Sequence, residues 1–222
     1  MPLDRPIILH HAFCQLNEAG PESLTLRRLA ARLGVQAPAL YWHFKNKQEL
    51  LDEMATQVFR EAVREGLAID PEQRWQDWAM GYGDGLRRTL LRYREGARVF
   101  SGTYLTDVSL YASMDASLRK LTSAGFSLRD ASAGLATLYA YTIGFVIEEQ
   151  AVHLEPNVHD SDLSDSRYNL ERRGERMDQD QYPLAHAAGP ELFLDHNTRF
   201  RTGLTMIVNG MAAMLPSSRS QV

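Results

Sequence analysis

The chain has 222 residues, 44% of them hydrophobic, enough for a substantial core in one large domain or in a small and a larger one. A net charge of −4 argues against a general coat for nucleic acid, and a single cysteine, Cys14, excludes an internal disulfide or a cysteine-based zinc site. No run of about 18 uncharged apolar residues occurs, and the opening MPLDRPIILHHAF is too polar for a secretory signal. A cytoplasmic protein with no membrane span is therefore expected.

Taken in order, residues 5–18 read as a first helix. Asp4 caps it, Pro6 lies in its opening turn, and Ile7, Ile8, Ala12, Phe13 and Leu16 form the apolar stripe. Gly20-Pro21 breaks it. Leu26, Leu29, Ala30 and Leu33 recur at helical spacing behind Thr25, a candidate N-cap. Gly34 stops that second helix, because glycine adopts a left-handed backbone cheaply. A third helix, 37–43, holds Pro38 in its first turn and ends in Tyr41, Trp42 and His43, with Lys45 and Lys47 close behind. A short helix, a glycine joint and a second helix with polar and aromatic tips make the pattern of a helix-turn-helix. Its charge agrees: residues 1–47 balance at +3 and the remainder at −7, a basic tip on an acidic body.

Asn46 caps a helix running to about Glu65, unbroken enough to join the head rigidly to the rest. Residues 66–73 form a loop around Asp70-Pro71. Helices follow at 74–92, 95–101 and 107–123, with Gly125 as a stop. Residues 128–153 form a long helix that is apolar almost all round, which requires burial on several sides. The polar stretch 154–189 reads as mobile or disordered, apart from one short helix near 166–178. Pro190 opens a last helix reaching 214. No strand-like alternation, internal repeat or catalytic motif is found, so the fold class is all-α.

The segments LRRLAARLGV and PALYWHFKNKQELLD resemble the DNA-binding part of the TetR family of bacterial repressors, in particular its tetracycline repressor branch. WQDW, LLRYREGARV, Gly102-Thr103, GFSL and GFVIEEQ resemble segments of that branch's ligand-binding domain, the likeness weakening between about 153 and 190. The resemblance implies a helix-turn-helix domain over 1–47, a connecting helix over 48–65, a ligand-binding and dimerisation domain over 66–216 and a tail over 217–222. It implies a homodimer, paired through helices 128–153 and 190–214, on palindromic double-stranded operator DNA. It also implies a two-state pivot, in which ligand displaces the segment near 95–106 and so moves the 47–65 helix. Carried over by position, Arg27 approaches a guanine edge or the adjacent backbone, Pro38 meets a thymine methyl, and Tyr41, His43 and Lys47 meet phosphates. Trp42 matches the pattern too, with packing inside a three-helix head as the alternative for it and for Tyr41. Ala37 and Ala39 stand where the tetracycline repressors have glutamine and threonine. Alanine cannot read adenine as an amide does, so a different operator is expected, with Gln36 left to supply an amide.

In the body, the branch's magnesium-drug ligands correspond to Val63, Tyr82, Phe100 and Ala116, whereas Thr103 and Glu148 are retained. Phenylalanine at 100 has no lone pair to offer a metal, so magnesium-tetracycline recognition is not expected. The expected ligand set is Trp78, Tyr82, Leu86, Phe100, Thr103, Tyr104, Tyr111, Met114, Tyr139, Phe145 and Glu148. Such a lining suits a small, flat, aromatic polyketide-like inducer, with no metal or cofactor. Gly81, Gly83 and Gly85 make room either for that ligand or for close helix packing. Seven histidines show no metal spacing and no nucleophile–base signature, so no enzyme is expected. An activator of the same family and a ligand-modifying helical protein remain the alternatives.

Overall fold

A computed structural model describes residues 3–65, 70, 72–152 and 174–215. Among these the chain is helical, with no strand. The expected loop at 66–69, most of the helix expected at 166–178 and the tail lie outside the described residues.

The head is built from α1 (Arg5–Ala19), α2 (Leu26–Leu33) and α3 (Ala37–Tyr41). Asp4 Oδ1 accepts from the Ile7 amide at 2.9 Å, and Thr25 Oγ1 accepts from the Arg28 amide at 3.2 Å, so both expected caps form. Gly34 ends α2 at φ 68°, ψ 26°, and the Val35 amide folds back onto the Ala30 carbonyl. The third helix is shorter than the 37–43 expected. Both the His43 and Phe44 amides bond to the Leu40 carbonyl, a tight turn that swings Phe44 into the core. Ile8, Ala12, Leu16, Leu24, Leu29, Leu40, Phe44, Leu50 and Met54 are buried together. The last two belong to α4 (Lys47–Glu65), which starts under the Asn46 side chain (Oδ1 to Glu49 N, 2.9 Å).

The body comprises α5 (Trp75–Leu90), α6 (Gly96–Phe100), α7 (Ser109–Ser123), α8 (Leu128–Val152), α9 (Pro183–Ala187), α10 (Gly189–Phe193) and α11 (His196–Ala212). The single last helix expected over 190–214 is two helices. Asp195, at φ 45°, breaks the chain and caps α11 by accepting from the Thr198 amide at 3.1 Å. The helix α9 falls inside a stretch expected to lack order.

Helices α5, α8 and α11 pack on one another around Leu86, Leu138, Val146, Phe200, Leu204 and Val208. A Cβ on Gly83 would lie 2.7 Å from the Leu204 methyls, so this glycine serves helix packing, while Gly81 is exposed. One end of the layer holds a buried ion pair. Arg87 grips Glu149 through Nε (2.7 Å) and Nη2 (2.5 Å), reaches Asn197 at 2.9 Å and covers the Phe200 ring.

By length and apolar content α8 is able to cross a membrane, yet its Leu138, Ile143 and Val146 are buried inside the chain. Its remaining face, with Ala133, Ala136, Thr137, Ala140, Gly144 and Glu148, is exposed.

Candidate nucleic-acid interface and ligand cavity

The turn between α2 and α3 places a set of side chains on the outer surface of the head. Arg27, Gln36, Pro38, Tyr41, Trp42 and Lys47 are exposed, Trp42 to 89%. Ala37 and His43 are partly covered. A tryptophan so open contributes little to the head's own core, so the packing alternative fails for Trp42, and Tyr41 is also half open. Gln36 precedes α3 without capping it, and its amide has no partner among the described residues. Arg27, Arg28 and Lys45 likewise have no side-chain partner there. Arg32 differs: both its terminal nitrogens bind the Glu18 carboxylate, and that hydrogen bond holds Glu18 below the usual carboxylate range. Lys47 Nζ donates to the Pro21 carbonyl at 3.1 Å.

The body contains a cavity of about 530 Å3 between α4, α5, α7, α8 and the segment after α6. Seven of the residues expected around a ligand line it: Tyr82, Phe100, Thr103, Tyr104, Tyr111, Met114 and Tyr139. Four do not. Trp78 is buried behind Tyr82, with ring centroids 5.8 Å apart, and Leu86 lies wholly in the core. Phe145 packs on Phe200 at 5.1 Å, on the α11 side of the layer, and Glu148 sits on the exposed face of α8. Sequence reasoning missed Phe59, Leu105, Asp107, Leu110, Ser113, Ser117, Leu118, Ser132, Leu135 and Ala136. Leu110, Ser113, Ser117 and Leu118 share one face of α7 with the expected Met114, and that helical spacing is a signal that would have found these four of the ten.

Among the described residues no histidine lines the cavity, and the carboxylate in the lining, Asp107, is held by Arg60 Nε at 2.6 Å. Among the described residues no group of three or more metal-binding side chains comes together. This donor set does not fit a divalent cation and its chelated ligand. Burial pushes the phenols of both Tyr82 and Tyr139 up, so both remain neutral near pH 7.

The stretch 103–107 touches two things at once. Thr103, Tyr104, Leu105 and Asp107 line the cavity, and the same stretch is bonded along α4. The Tyr104 amide donates to Asp52 at 3.1 Å and the Thr106 amide to Thr56 Oγ1 at 2.9 Å. Thr106 Oγ1 also donates to Glu53 at 3.0 Å. The same N-terminal half of α4 is tied into the head, where Arg5 reaches Glu49 at 2.9 Å, Glu53 at 3.7 Å and the His43 carbonyl at 2.8 Å. Glu53 thus meets both the head's Arg5 and the cavity's loop.

Comparison with known proteins finds two family models along the chain. Residues 8–54 match the family model described as bacterial regulatory proteins, tetR family, and residues 68–215 the one described as tetracyclin repressor-like, C-terminal domain. The tetracycline repressor protein class C of Escherichia coli is 36% identical over 213 residues, covering 96% of this chain and 92% of the relative. A possible TetR family transcriptional regulator from Streptomyces coelicolor A3(2) has a solved structure with a TM-score of 0.81 at 32% identity, covering 95% of this chain and 99% of the other. The Streptomyces coelicolor TetR family protein ActR, solved in complex with actinorhodin, scores 0.80 at 26% identity, covering 98% and 99%. A helix-turn-helix head, a helical cavity-bearing body and matches over nearly the whole length lead to one conclusion: the chain belongs to the TetR family and is a ligand-responsive transcriptional repressor of that family.

Proposed function

We propose that two copies of this chain bind one palindromic operator and that a flat, largely apolar polycyclic molecule, aromatic polyketide-like and free of metal, enters each body and releases the DNA. The observation that carries the reading is the double attachment of residues 103–107, which line the cavity and are hydrogen-bonded to the helix that bears the head. A ligand that favours a different course for this stretch changes the register of α4 and hence the separation of the two heads. Heads on one duplex face must sit about 34–36 Å apart, so a modest pivot ends simultaneous binding. Only a ligand with higher affinity for the DNA-incompetent state can do this.

Base reading falls to Arg27, Gln36, Pro38 and Trp42, with Ala37 contributing a methyl only. Tyr41, His43 and Lys47 set the register on phosphates. Dimerisation uses the open faces of α8 and α11. On α8 it is lined by Ala133, Ala140 and Gly144, and on α11 by Thr202, Met206 and Gly210. Met206 is 69% exposed, and neither Gly144 nor Gly210 has a neighbour within 4 Å of where a Cβ would stand, which leaves room for a partner helix to approach.

The lining supports the ligand class, since aromatic and aliphatic carbon dominates it and among the described residues its one carboxylate is held by Arg60. Selection of bound DNA from a random pool, followed by a screen for molecules that release it, tests the whole proposal. A stable monomer indifferent to every duplex at low ionic strength would refute the first half. Magnesium-dependent tetracycline binding at micromolar concentration would refute the second.

A further inference from the structure

Three hydroxyl groups of the cavity already spend their protons within the chain. Thr103 Oγ1 donates to the Phe100 carbonyl at 2.8 Å, Ser117 Oγ to the Ser113 carbonyl at 2.8 Å, and Ser132 Oγ to the Leu128 carbonyl at 2.7 Å. Those three hydroxyls have only lone pairs left to offer a ligand. Tyr82 and Tyr139 are different, for neither phenol has a hydrogen-bond partner among the described residues and, unlike the open side chains of Tyr104 and Tyr111, both are at least partly buried. Tyr82 is only 7% exposed. Its oxygen is nonetheless not sealed in protein: among the described residues, the sealed and unpartnered side-chain polar atom is His11 Nδ1. The Tyr82 side chain is one of those that line the cavity.

A buried phenol with no acceptor loses the hydrogen bond it had in water, and a ligand that restores it gains by the difference. The two rings come from α5 and α8, which pack directly on each other, and both side chains line the same cavity. A carbonyl oxygen has two lone pairs and can accept from both phenols together. A carboxylate would enter with no lysine, arginine or histidine to meet it among the described lining residues. Resting on the polycycle reading above, we infer that Tyr82 and Tyr139 form a two-donor clamp for a neutral ring-borne carbonyl. The ligand class is thereby narrowed to quinones and ring ketones, with ring hydroxyls placed to donate to Thr103, Ser117 or Ser132.

The test uses the full-length protein and three probes of one shape: anthraquinone, anthracene, which lacks the carbonyls, and an anthraquinone carboxylate. Trp78, 5.8 Å from the Tyr82 ring, reports binding through its fluorescence. Wild type is expected to bind anthraquinone about tenfold tighter than anthracene, and tighter than the carboxylate. Tyr82→Phe and Tyr139→Phe should each weaken anthraquinone about five- to tenfold and leave anthracene within about twofold, which controls for folding. The double variant should show no preference. Equal binding of anthraquinone and anthracene by wild type, a preference that survives in the double variant, or a preference for the carboxylate would overturn the clamp while the polycycle reading stands. Failure of all three probes to bind would remove the polycycle reading and the clamp with it.

Discussion

Arg87 and Glu149 offer the sharpest test of how the body is held together. Their side chains are 12% and 8% exposed, and two hydrogen bonds, 2.7 and 2.5 Å long, join them. A third, of 2.9 Å, reaches Asn197 at the start of α11, so one guanidinium connects α5, α8 and α11. Arg87→Met keeps most of the aliphatic stem but leaves the Glu149 carboxylate buried without its two donors. Removing one partner of a buried pair costs about 3–5 kcal/mol, because the remaining charge is uncompensated. Replacing both, Arg87→Met with Glu149→Leu, removes that charge and should return stability to within about 1 kcal/mol of wild type. Urea unfolding followed by circular dichroism measures all three proteins, at one fixed chain concentration because self-association shifts the midpoint. A single variant that loses less than about 1 kcal/mol, or a double variant as unstable as the single, would refute this account of the pair.

Trp42→Ala should leave thermal stability within about 0.5 kcal/mol, since the ring touches little, while operator affinity measured by fluorescence anisotropy falls about tenfold or more. Arg27→Gln should lower affinity and reduce the slope of log affinity against log salt by about one if the side chain meets a phosphate, and leave the slope unchanged if it reads a base. Gly83→Val pushes a side chain into the Leu204 methyls and should cost about 1–3 kcal/mol, partly recovered by adding Leu204→Ala. Glu18 has its folded pKa lowered by the Arg32 hydrogen bond. Its contribution to stability is therefore present above the ordinary value of 4.5 and is lost as pH falls through the lowered one. Denaturation midpoints taken at falling pH should drop less steeply for Glu18→Gln than for wild type in that acid window.

The head is almost wholly legible in the sequence because its signals are local. Asp4, Thr25 and Asn46 cap the helices the sequence suggests, and Gly34 turns where only glycine turns cheaply. The cavity is legible in part. Tyr82, Phe100, Tyr111 and Tyr139 stand out as aromatics on body helices, and they line it. Phe145 and Trp78 stand out equally and do not, because an aromatic's identity does not say which face of its helix it is on. Ser132 gives no signal, since a hydroxyl on a helix looks like any solvated residue. The division of the last helix is hidden for a related reason. Nothing in GPELFLDHNTRF forbids a continuous helix, and the break becomes visible only when Asp195 takes a left-handed backbone and caps α11.

The head is fastened to the body at two places, and this bears on what a ligand can do to it. One is α4, through Glu53 and the loop at 103–107. The other is the corner between α5 and α6. There the Arg94 amide donates to Asn17 at 2.9 Å, and Tyr93 packs on Phe13 of α1 with ring centroids 4.8 Å apart. Tyr93 also stands edge-on to Phe100, which lines the cavity, at 5.7 Å. Its hydroxyl donates to Glu61 of α4 at 2.6 Å, so the two fastenings are themselves joined. A head held at one point would be free to swing when that point moved. Held at two points that meet the same cavity, it is carried as a rigid unit, and its closely packed interior resists local deformation. The proposed release of DNA therefore requires no unfolding of the helix-turn-helix. It requires only that the cavity's contents favour one placement of the head over another.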